Sequence, residues 1–509
     1  MACAVHSVLV PMSSRAARIA GAAIALLLSR AEMAAAGGPL GPNGSALQTS
    51  DYAIDLYQGP VFAGSRVTGL AGAYVSIAED VDGDLQNPAS PAVRPFFSYS
   101  HFDYWLGFGL TLPATLNGVD FFNSGHATSV QNAPDAFVFF VPSVNLQWGE
   151  LGVGLTLELS SYALSSQPAQ GLAAASVGAS ISTFHLQVAH GFFHNQLVAG
   201  LGARVTSFSA NNRQSHANFG SNGNGYELGI LYKPEDLPFR IGMALRTAIR
   251  TEAEYNDRML PNENGDLVIE TDGGASYYLP KSVALPWDLN LGVSFQLGRP
   301  INVPWRTSTE MIERERLSHR LREIEREEQR TAALASAQTT EERSEIELSY
   351  LRAQLADDAQ LDDASDAARR ATERTLSQLN RRYLQVSTSL LISGSVEQAI
   401  GVESFLSQNI NRSGAKRVYS PRLGVEAGVI PEWLKLRAGS YLEPTRFETS
   451  SPRLHGTFGL DARLLMWNVF GLWPDDYVWR LGLGADAAAR YFTWGLTIGG
   501  WYPRWRKGE

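Results

Sequence analysis

Apolar and polar residues alternate along this chain in stretches of about ten positions, and this feature restricts the fold more than any other. Clear cases are residues 151–159, 287–297, 423–429 and 481–487. A strand with one apolar and one polar face has this period of two, and about ten residues is the length of a tilted strand that crosses a bilayer. The pattern therefore predicts transmembrane β-strands, because the strands of a soluble β-sandwich, which is the alternative, are usually shorter.

Fourteen stretches of this kind can be counted, and an even number is typical of a single-chain outer-membrane barrel. They cover approximately residues 95–109, 135–149, 150–162, 175–190, 194–209, 224–233, 238–250, 286–298, 383–395, 419–430, 433–443, 453–467, 476–489 and 491–503. The first and fourth are ambiguous, since the apolar parity of the fourth switches between Ile181 and Phe184. We predict an all-β transmembrane barrel of about fourteen antiparallel strands.

The third stretch also changes parity. Its apolar residues occupy odd positions from Leu151 to Leu159, whereas Tyr162 and Leu164 are even. A β-bulge at Ser160 and Ser161 would reset the parity and bend the strand. The alternative is that nine residues already span the bilayer and that the strand ends there.

The connections between the predicted strands alternate in length. Residues 149–151, 190–194, 233–238 and 430–433 are short connections, and residues 110–134, 163–175, 209–224, 251–285 and 396–418 are long and polar. Short periplasmic turns and longer external loops are typical of outer-membrane barrels. We therefore expect residues 251–285 outside the cell and both chain termini on the periplasmic side.

Residues 307–383 depart from the strand pattern. Thirty of these 77 positions are charged, against 18% of the whole chain, and glycine and proline are absent, which indicates helix. Thr307 with Glu310, and Thr339 with Glu342, have the spacing of capping boxes. We predict a charged helical insert over residues 299–382. It follows the eighth strand, so it should lie on the periplasmic side, where it could bind a periplasmic protein.

The apolar residues of the insert are few. They form the triplets Leu317/Leu321/Ile324, Leu348/Leu351/Leu355 and Leu376/Leu379/Tyr383, each with the spacing of one helix face. None continues over several heptads, so the pattern favours a short helical hairpin or three-helix bundle over a long coiled coil. Stripes this narrow suit packing within the insert.

The N-terminus has the three regions of a secretory signal peptide. Arg15 and Arg18 precede an apolar run over residues 19–28, and small residues follow at 34–36, so we expect a signal peptide over residues 1–36. Cys3 is the only cysteine, which excludes a disulfide framework and a cysteine-ligated metal site. The net charge of −9, with no basic run, argues against a nucleic-acid partner.

No residue pattern predicts catalysis, a cofactor or a metal site. The three histidines between positions 185 and 194 share neither a helix face nor a strand face. Asp80, Asp82 and Asp84 imitate the start of a Ca²⁺-binding loop, but the glycine and the final glutamate of that loop are missing. We therefore expect a protein that is not an enzyme.

The stretch from Gly59 to Ala92, directly before the first predicted strand, has a different character. It carries an arginine, then small and aromatic residues, then acidic residues, and ends in an Asn-Pro-Ala box. The series is Arg66, Gly69, Gly72, Ala73, Tyr74, Ala78, Asp80, Asn87, Pro88 and Ala89. It resembles the N-terminal hatch of the FadL/TodX family of outer-membrane transporters for hydrophobic compounds. Secretion-associated barrels of the PorV type share this motif.

The resemblance implies a fourteen-stranded barrel plugged from inside by a hatch over residues 37–93, with strands 1–8 in residues 94–298 and strands 9–14 in residues 383–509. It also implies uptake of hydrophobic or amphipathic small molecules, such as long-chain fatty acids, across the cell outer membrane. The expected partners are then a hydrophobic ligand and outer-membrane lipid. The alternative is a secretion- or assembly-associated barrel whose helical insert binds periplasmic partners.

Charged residues on the strand positions that should face the lumen are mostly basic. They are Arg204, Arg240, Arg246, Arg250, Arg422, Lys435, Arg437, Arg463, Arg480 and Arg490, against Glu158, Glu227, Asp288, Glu426, Asp461 and Asp486. Acidic residues of the hatch should pair with this basic wall. Arginine binds carboxylates in a forked geometry, so we expect Arg204, Arg246, Arg422 and Arg437 to be the contacts for an anionic ligand.

Overall fold

A computed structural model of the chain describes fourteen segments, and the predicted signal peptide lies outside them. The described residues are 40–94, 101–113, 119–125, 137–163, 177–212, 218–235, 237–252, 254–255, 261–270, 276–302, 306–378, 382–448, 450–468 and 478–501. Within this part of the chain, no helix combines the length and the apolarity needed to cross a membrane.

Fourteen antiparallel strands form a closed barrel, as the alternation predicts. They are β1 Phe102–Pro113, β2 Phe137–Trp148, β3 Leu151–Ala163, β4 Val177–Phe192, β5 Leu197–Asn212, β6 Asn218–Tyr232, β7 Phe239–Arg246, β8 Asp288–Gly298, β9 Tyr383–Ser393, β10 Val418–Ile430, β11 Leu434–Glu443, β12 Arg453–Met466, β13 Val478–Ala488 and β14 Tyr491–Gly500. Each strand pairs with the next, and β14 pairs with β1, so the barrel has no free edge. The predicted fold class is confirmed.

The two faces of the barrel wall differ in polarity. Outward side chains are apolar, and Leu201 and Leu454 are 66% and 69% exposed. Inward side chains are largely polar and buried, as at Asn145, Gln187 and Glu426. A membrane barrel has this distribution because lipid surrounds its outer face.

The strands β3 and β4 are more regular than their sequences suggest. Ile181 faces the lumen and Phe184 faces outward in one unbroken strand, because the lumen is locally apolar beside Ile181. The β-bulge considered at Ser160 and Ser161 is absent, since Ser160 pairs with Ile181 and Ser161 with Ser180 in continuous register. The strand does not end there either, since it continues to Ala163.

The helical insert connects β8 to β9 at the end of the barrel where the short turns lie. Its helices are α2 Arg306–Ser336 and α3 Thr340–Gln378, which form an antiparallel pair. Thr339 and Glu342 make the predicted capping box, in which the Glu342 amide donates to Thr339 Oγ1 at 3.2 Å and the Thr339 amide donates back to Glu342 Oε2 at 3.1 Å. Thr307 lies inside α2 rather than at its N-cap, so that assignment is wrong.

The apolar stripes of the insert are not packed together. Leu317, Leu321 and Ile324 on α2, and Leu348, Leu351 and Leu355 on α3, are all more than half exposed. Ion pairs such as Arg330–Glu347 join the helices instead. The prediction that the stripes pack within the insert is therefore wrong for these two. In the third triplet, Tyr383 begins β9, and the side chains of Leu376 and Leu379 lie outside the described ones.

The described N-terminal segment begins at the long-loop end of the barrel and passes down the lumen. The strand Ala53–Asp55 belongs to a five-stranded sheet made from the long loops, with Ile249–Glu252, Ser282–Leu285, Ala399–Gly401 and Arg412–Ser413. The remaining short strands are Glu254–Tyr255, Val268–Glu270 and Ser276–Tyr278, and a short helix, α4, covers Val402–Ser407.

At the opposite end, Arg94 donates to the carbonyl of Gly149 in the β2–β3 turn at 2.9 Å. Residues 40–94 therefore cross from the loop end to the turn end. We expected both chain termini on the periplasmic side, but residue 40, where the described chain begins, lies at the end of the barrel with the long loops.

Candidate functional site

The hatch lies inside the barrel and its Asn-Pro-Ala box sits against the wall. It contains the short helix α1, Ser65–Gly69, and two 3₁₀ turns at Val81–Gly83 and Ser90–Ala92. Asn87 holds the turn together because its side-chain amide donates to the carbonyls of Val75, at 2.8 Å, and of Ile230 on β6, at 3.2 Å. Its side-chain oxygen accepts from the Ala89 amide at 3.0 Å.

Glycines of the wall allow the hatch backbone to approach closely. A Cβ on Gly200 would lie 2.0 Å from the carbonyl oxygen of Pro88, and a Cβ on Gly229 would lie 2.2 Å from Asn87 Oδ1. Within the hatch, a Cβ on Gly69 would lie 2.8 Å from the Cα of Gly459. Packing against the wall, rather than turn formation alone, therefore requires these glycines.

Arg66 is the centre of the ionic contacts between hatch and wall. Its guanidinium group binds Glu426 on β10 in a forked geometry, at 2.9 and 3.1 Å, and also contacts Glu79 at 3.1 Å and Asp80 at 3.5 Å. It lies 5.2 Å from the centre of the Tyr74 ring, whose hydroxyl donates to the Glu79 carbonyl. Two of the predicted hatch residues, Tyr74 and Asp80, therefore meet at Arg66.

A second group of wall residues continues this network. Arg437 binds Glu426 and Asp461, and Arg480 binds Asp461 and the hatch residue Asp82. All four wall side chains are almost fully buried. The expected pairing of acidic hatch residues with basic wall residues therefore occurs at Asp82 as well as through Arg240, which binds Glu79 at 2.9 Å.

Burial acts differently on the acidic groups of the hatch. Burial raises the pKa of Glu79, but Arg240 and Arg66 outweigh this effect and hold the pKa below its usual value. For Asp80, burial raises the pKa to about 6 despite Arg66. Burial also raises the pKa of Asp84 well above its ordinary value, although Asn145 donates a hydrogen bond to it at 3.0 Å.

A cavity lies between the hatch and the wall. It contains about 1070 Å³ of empty space, including the part open to solvent. One side is apolar and is lined by the hatch residues Leu56, Val61 and Phe62 and the wall residues Phe139, Ile181 and Leu391. The apolar side chains that disturb the alternation of β4 therefore mark a lumenal cavity rather than a distorted strand.

The other side of the cavity is polar. His185 contacts Glu227 at 2.7 Å and Glu158 at 3.0 Å through its two ring nitrogens. Arg246 binds Glu227 and Asp288, both at 3.0 Å. Of the three histidines between positions 185 and 194, His185 is the one that is buried in the lumen. Only its alternation with the outward-facing Phe184 could have indicated this position in the sequence.

The four arginines predicted to contact an anion have different surroundings. Arg204, Arg246 and Arg422 line the cavity, whereas Arg437 lies outside its lining and is bound by Glu426 and Asp461. Arg246 is already neutralised by two carboxylates. Among the described residues, neither Arg204 nor Arg422 forms an ion pair, although both are at least nine-tenths buried. Arg204 donates to the Thr247 carbonyl at 2.6 Å, but its Nε lacks a partner.

Arg422 makes two long hydrogen bonds and also fixes a position in the hatch. Its guanidinium donates to the Gly72 carbonyl at 3.4 Å and to Ser420 Oγ at 3.5 Å. Gly72 has a φ of +72°, and a Cβ there would lie 2.5 Å from the Arg422 guanidinium. This close approach leaves Gly72 no room for a side chain.

No group of histidine, cysteine and acidic residues in the described segments is arranged to hold a metal ion.

No protein-family model matches the sequence, and no curated protein matches it either. Among solved structures, the chain is similar to CymD, a monoaromatic hydrocarbon channel, with 10% identity, a TM-score of 0.43, and coverage of 87% of this chain and 97% of CymD. For TodX, the toluene transporter of P. putida, the values are 11%, 0.43, 88% and 99%. For CdiB from Acinetobacter baumannii they are 6%, 0.33, 89% and 74%.

A closed fourteen-stranded barrel with an apolar outer face belongs in an outer membrane. The protein is thus an outer-membrane β-barrel, and the fourteen-stranded barrel with a lumenal hatch that was expected from the sequence is present in the structure.

Proposed function

We propose that this protein takes up hydrophobic or amphipathic small molecules, such as long-chain fatty acids, across the outer membrane. The observation that carries this proposal is the cavity beside the hatch, which combines an apolar wall with the buried Arg204 and Arg422. Ligand pockets combine apolar surface with polar groups that fix orientation, and this cavity has an apolar side opposite a larger polar side. The alkyl chain of a ligand would contact the apolar side of the cavity at Phe62 and Ile181, and its carboxylate would neutralise Arg204 and Arg422.

The hatch forms one side of the cavity and the barrel wall forms the other, so movement of the hatch would open the way to the periplasm. Hatch residues between Leu56 and Phe62, together with Leu85 and Gln86, line the cavity. A ligand held there would pass on toward the periplasm only when this part of the hatch is displaced. Uptake would therefore consist of binding from the loop end, retention in the cavity, and release after the hatch rearranges.

Binding of dodecanoate and of dodecanol to the purified protein tests this function, because the two probes share a chain and differ in charge. We expect Ile181→Trp, which fills the apolar side, to weaken both probes. Arg422→Gln should weaken dodecanoate about tenfold, the effect of one lost charge-assisted hydrogen bond, and leave dodecanol unchanged. Arg463→Gln, outside the cavity, is the matched control. Unchanged binding of both probes to Ile181→Trp would contradict the proposal.

A second function, an assembly- or secretion-associated barrel, is favoured by the helical insert alone. Its six exposed leucine and isoleucine side chains are an unusual apolar surface for a charged helix pair. A periplasmic protein that binds there would depend on them. Replacing Leu317, Leu321 and Ile324 by serine should then abolish a stoichiometric complex without changing dodecanoate binding.

A further inference from the structure

The two ends of the helical insert contact the hatch in one ring of buried contacts. We call these ends the roots: the first is residues 299–302, before α2, and the second is Tyr383, after α3. The guanidinium group of Arg240 on β7 divides its donors between them. It donates to Asn302 Oδ1 at 2.8 Å and to the Ile301 carbonyl at 2.6 Å, and both residues lie between the end of β8 and the start of α2. It also donates to the hatch, to the Ile77 carbonyl and to Glu79 Oε1, each at 2.9 Å.

The second root reaches the hatch by another route. Tyr383, the first residue after the insert in β9, donates its hydroxyl to Glu426 Oε1 at 2.7 Å. Glu426 is the carboxylate that holds Arg66 of the hatch. The Arg299 guanidinium lies 4.3 Å from the centre of the Tyr383 ring and so connects this root to the first one.

The ring is closed because Arg66 and Arg240 share the carboxylate of Glu79, with 3.1 and 2.9 Å between the charged atoms. Arg240, Arg66, Glu426, Tyr383 and Asn302 are all buried. Hydrogen bonds to charged groups in such surroundings are shorter and stronger than neutral ones, and a small displacement breaks them. A shift of either root therefore changes the partners available to the hatch.

From this ring we infer that the helical insert controls the hatch. An insert at rest holds Arg240 and Tyr383 in the positions that keep Glu79 and Glu426 paired with Arg66. A partner that binds the insert on the short-turn side and displaces it would move the roots and release the hatch. The coupling does not depend on which ligand the cavity accepts.

Thiol labelling of a hatch reporter tests this control. Ser76→Cys in a Cys3→Ser background places a single, fully buried thiol next to Ile77. We expect Asn302→Ala and Tyr383→Phe, which leave every hatch residue unchanged, to speed maleimide labelling of this thiol about tenfold, the effect of losing one hydrogen bond to a charged group. Tyr419→Phe removes a hydroxyl from an exposed position of β10 and should leave the rate unchanged.

Thermodynamic coupling is reciprocal, so the reverse experiment is also decisive. Arg66→Gln in the hatch should speed amide hydrogen exchange in the first turns of α2, whereas Glu347→Gln, in the middle of the hairpin, should not affect the hatch reporter. Heat-modifiable migration on gels verifies that each variant retains the barrel. Root variants that label within twofold of the parent, or an α2 exchange rate unaffected by Arg66→Gln, would overturn the proposal.

Discussion

The barrel lumen and the helical insert contain the same kinds of ion pair in opposite environments. In the lumen, Arg437 and Asp461 pair at 2.7 Å with both side chains fully buried. In the insert, Arg370 and Asp366 approach to 4.0 Å with both side chains about 60% exposed. Water screens the second pair and competes for its groups, whereas a lumenal charge that loses its partner has no replacement. The contribution of a pair to stability therefore depends on its surroundings more than on its residues.

Glu426→Gln breaks the lumenal network at the residue that Arg66 and Arg437 share. We expect it to lower the free energy of unfolding by about 3–5 kcal/mol, because two arginines remain buried with too little negative charge. Urea titration of the barrel in lipid vesicles measures this loss. A loss comparable to that of an exposed pair would show that water enters the lumen freely enough to replace the carboxylate.

Gly229→Ala tests the packing of the hatch rather than its charges. The new Cβ would lie 2.2 Å from Asn87 Oδ1 and 2.5 Å from the Ala89 amide, so the Asn-Pro-Ala box must shift, at a cost of about 1–3 kcal/mol. Labelling of Ser90→Cys, in the Cys3→Ser background, should accelerate. Gly456→Ala is the control, since nothing lies within 4 Å of its Cβ. Equal labelling in both variants would mean that the hatch tolerates the added methyl group.

Lys233→Met should stabilise the protein and change its pH dependence. Burial lowers the pKa of Lys233, in the turn after β6, from 10.5 to about 7, with Arg240 adding to the effect. Between these two values the unfolded chain binds the proton and the folded chain does not, so this residue makes stability rise with pH from about 7 to 10.5.

The methionine variant should lack this rise and exceed the parent most at pH 7 and below, as thermal unfolding from pH 6 to 10 will show. Lys281→Met provides the comparison, because the Lys281 side chain is 73% exposed. If both variants change the pH profile equally, Lys233 is hydrated in the folded protein.

Glu347→Gln removes the counterpart of Glu426 in the insert. It breaks the contact to Arg330, which is 2.8 Å long and partly exposed. We expect no measurable change in the thermal unfolding of the barrel. The helices of the insert should melt at only a slightly lower temperature, which the helical circular-dichroism signal measures. A decrease as large as that of Glu426→Gln would remove the distinction between the two regions.

Replacement of residues 308–381 by a short Gly/Ser linker should have the smallest effect on the barrel. No membrane strand is lost, and the residues at the roots, including Asn302 and Tyr383, remain. The expected result is that the shortened chain still shows a heat-modifiable shift on gels, as the parent does. A chain that no longer inserts would show that α2 and α3 contribute to the barrel itself.

Much of this architecture can be predicted because lipid imposes the same requirement on each strand separately. Every second residue of a membrane strand must be apolar, so Leu155 or Val293 reveals its position without reference to any other strand. The exceptions are informative. Ile181 faces inward and is apolar because it lines the cavity, and no local pattern distinguishes this from a change of strand geometry.

The number and order of the strands, the helical character of the insert and the hatch motif can be predicted from the sequence, since each rests on local periodicity, composition or a short series of residues. Which charges meet can be seen only in the folded barrel. Arg66 and Glu426, which form an ion pair, are 360 positions apart in the sequence. Arg204 and Arg437 occupy equivalent lumenal positions in the strand pattern, but Arg204 lines the cavity and Arg437 is bound by two carboxylates. The same holds for the entry of the hatch from the loop end and for the exposed stripes of the insert. These features depend on which residues closure of the barrel brings face to face, and closure is a property of all fourteen strands together.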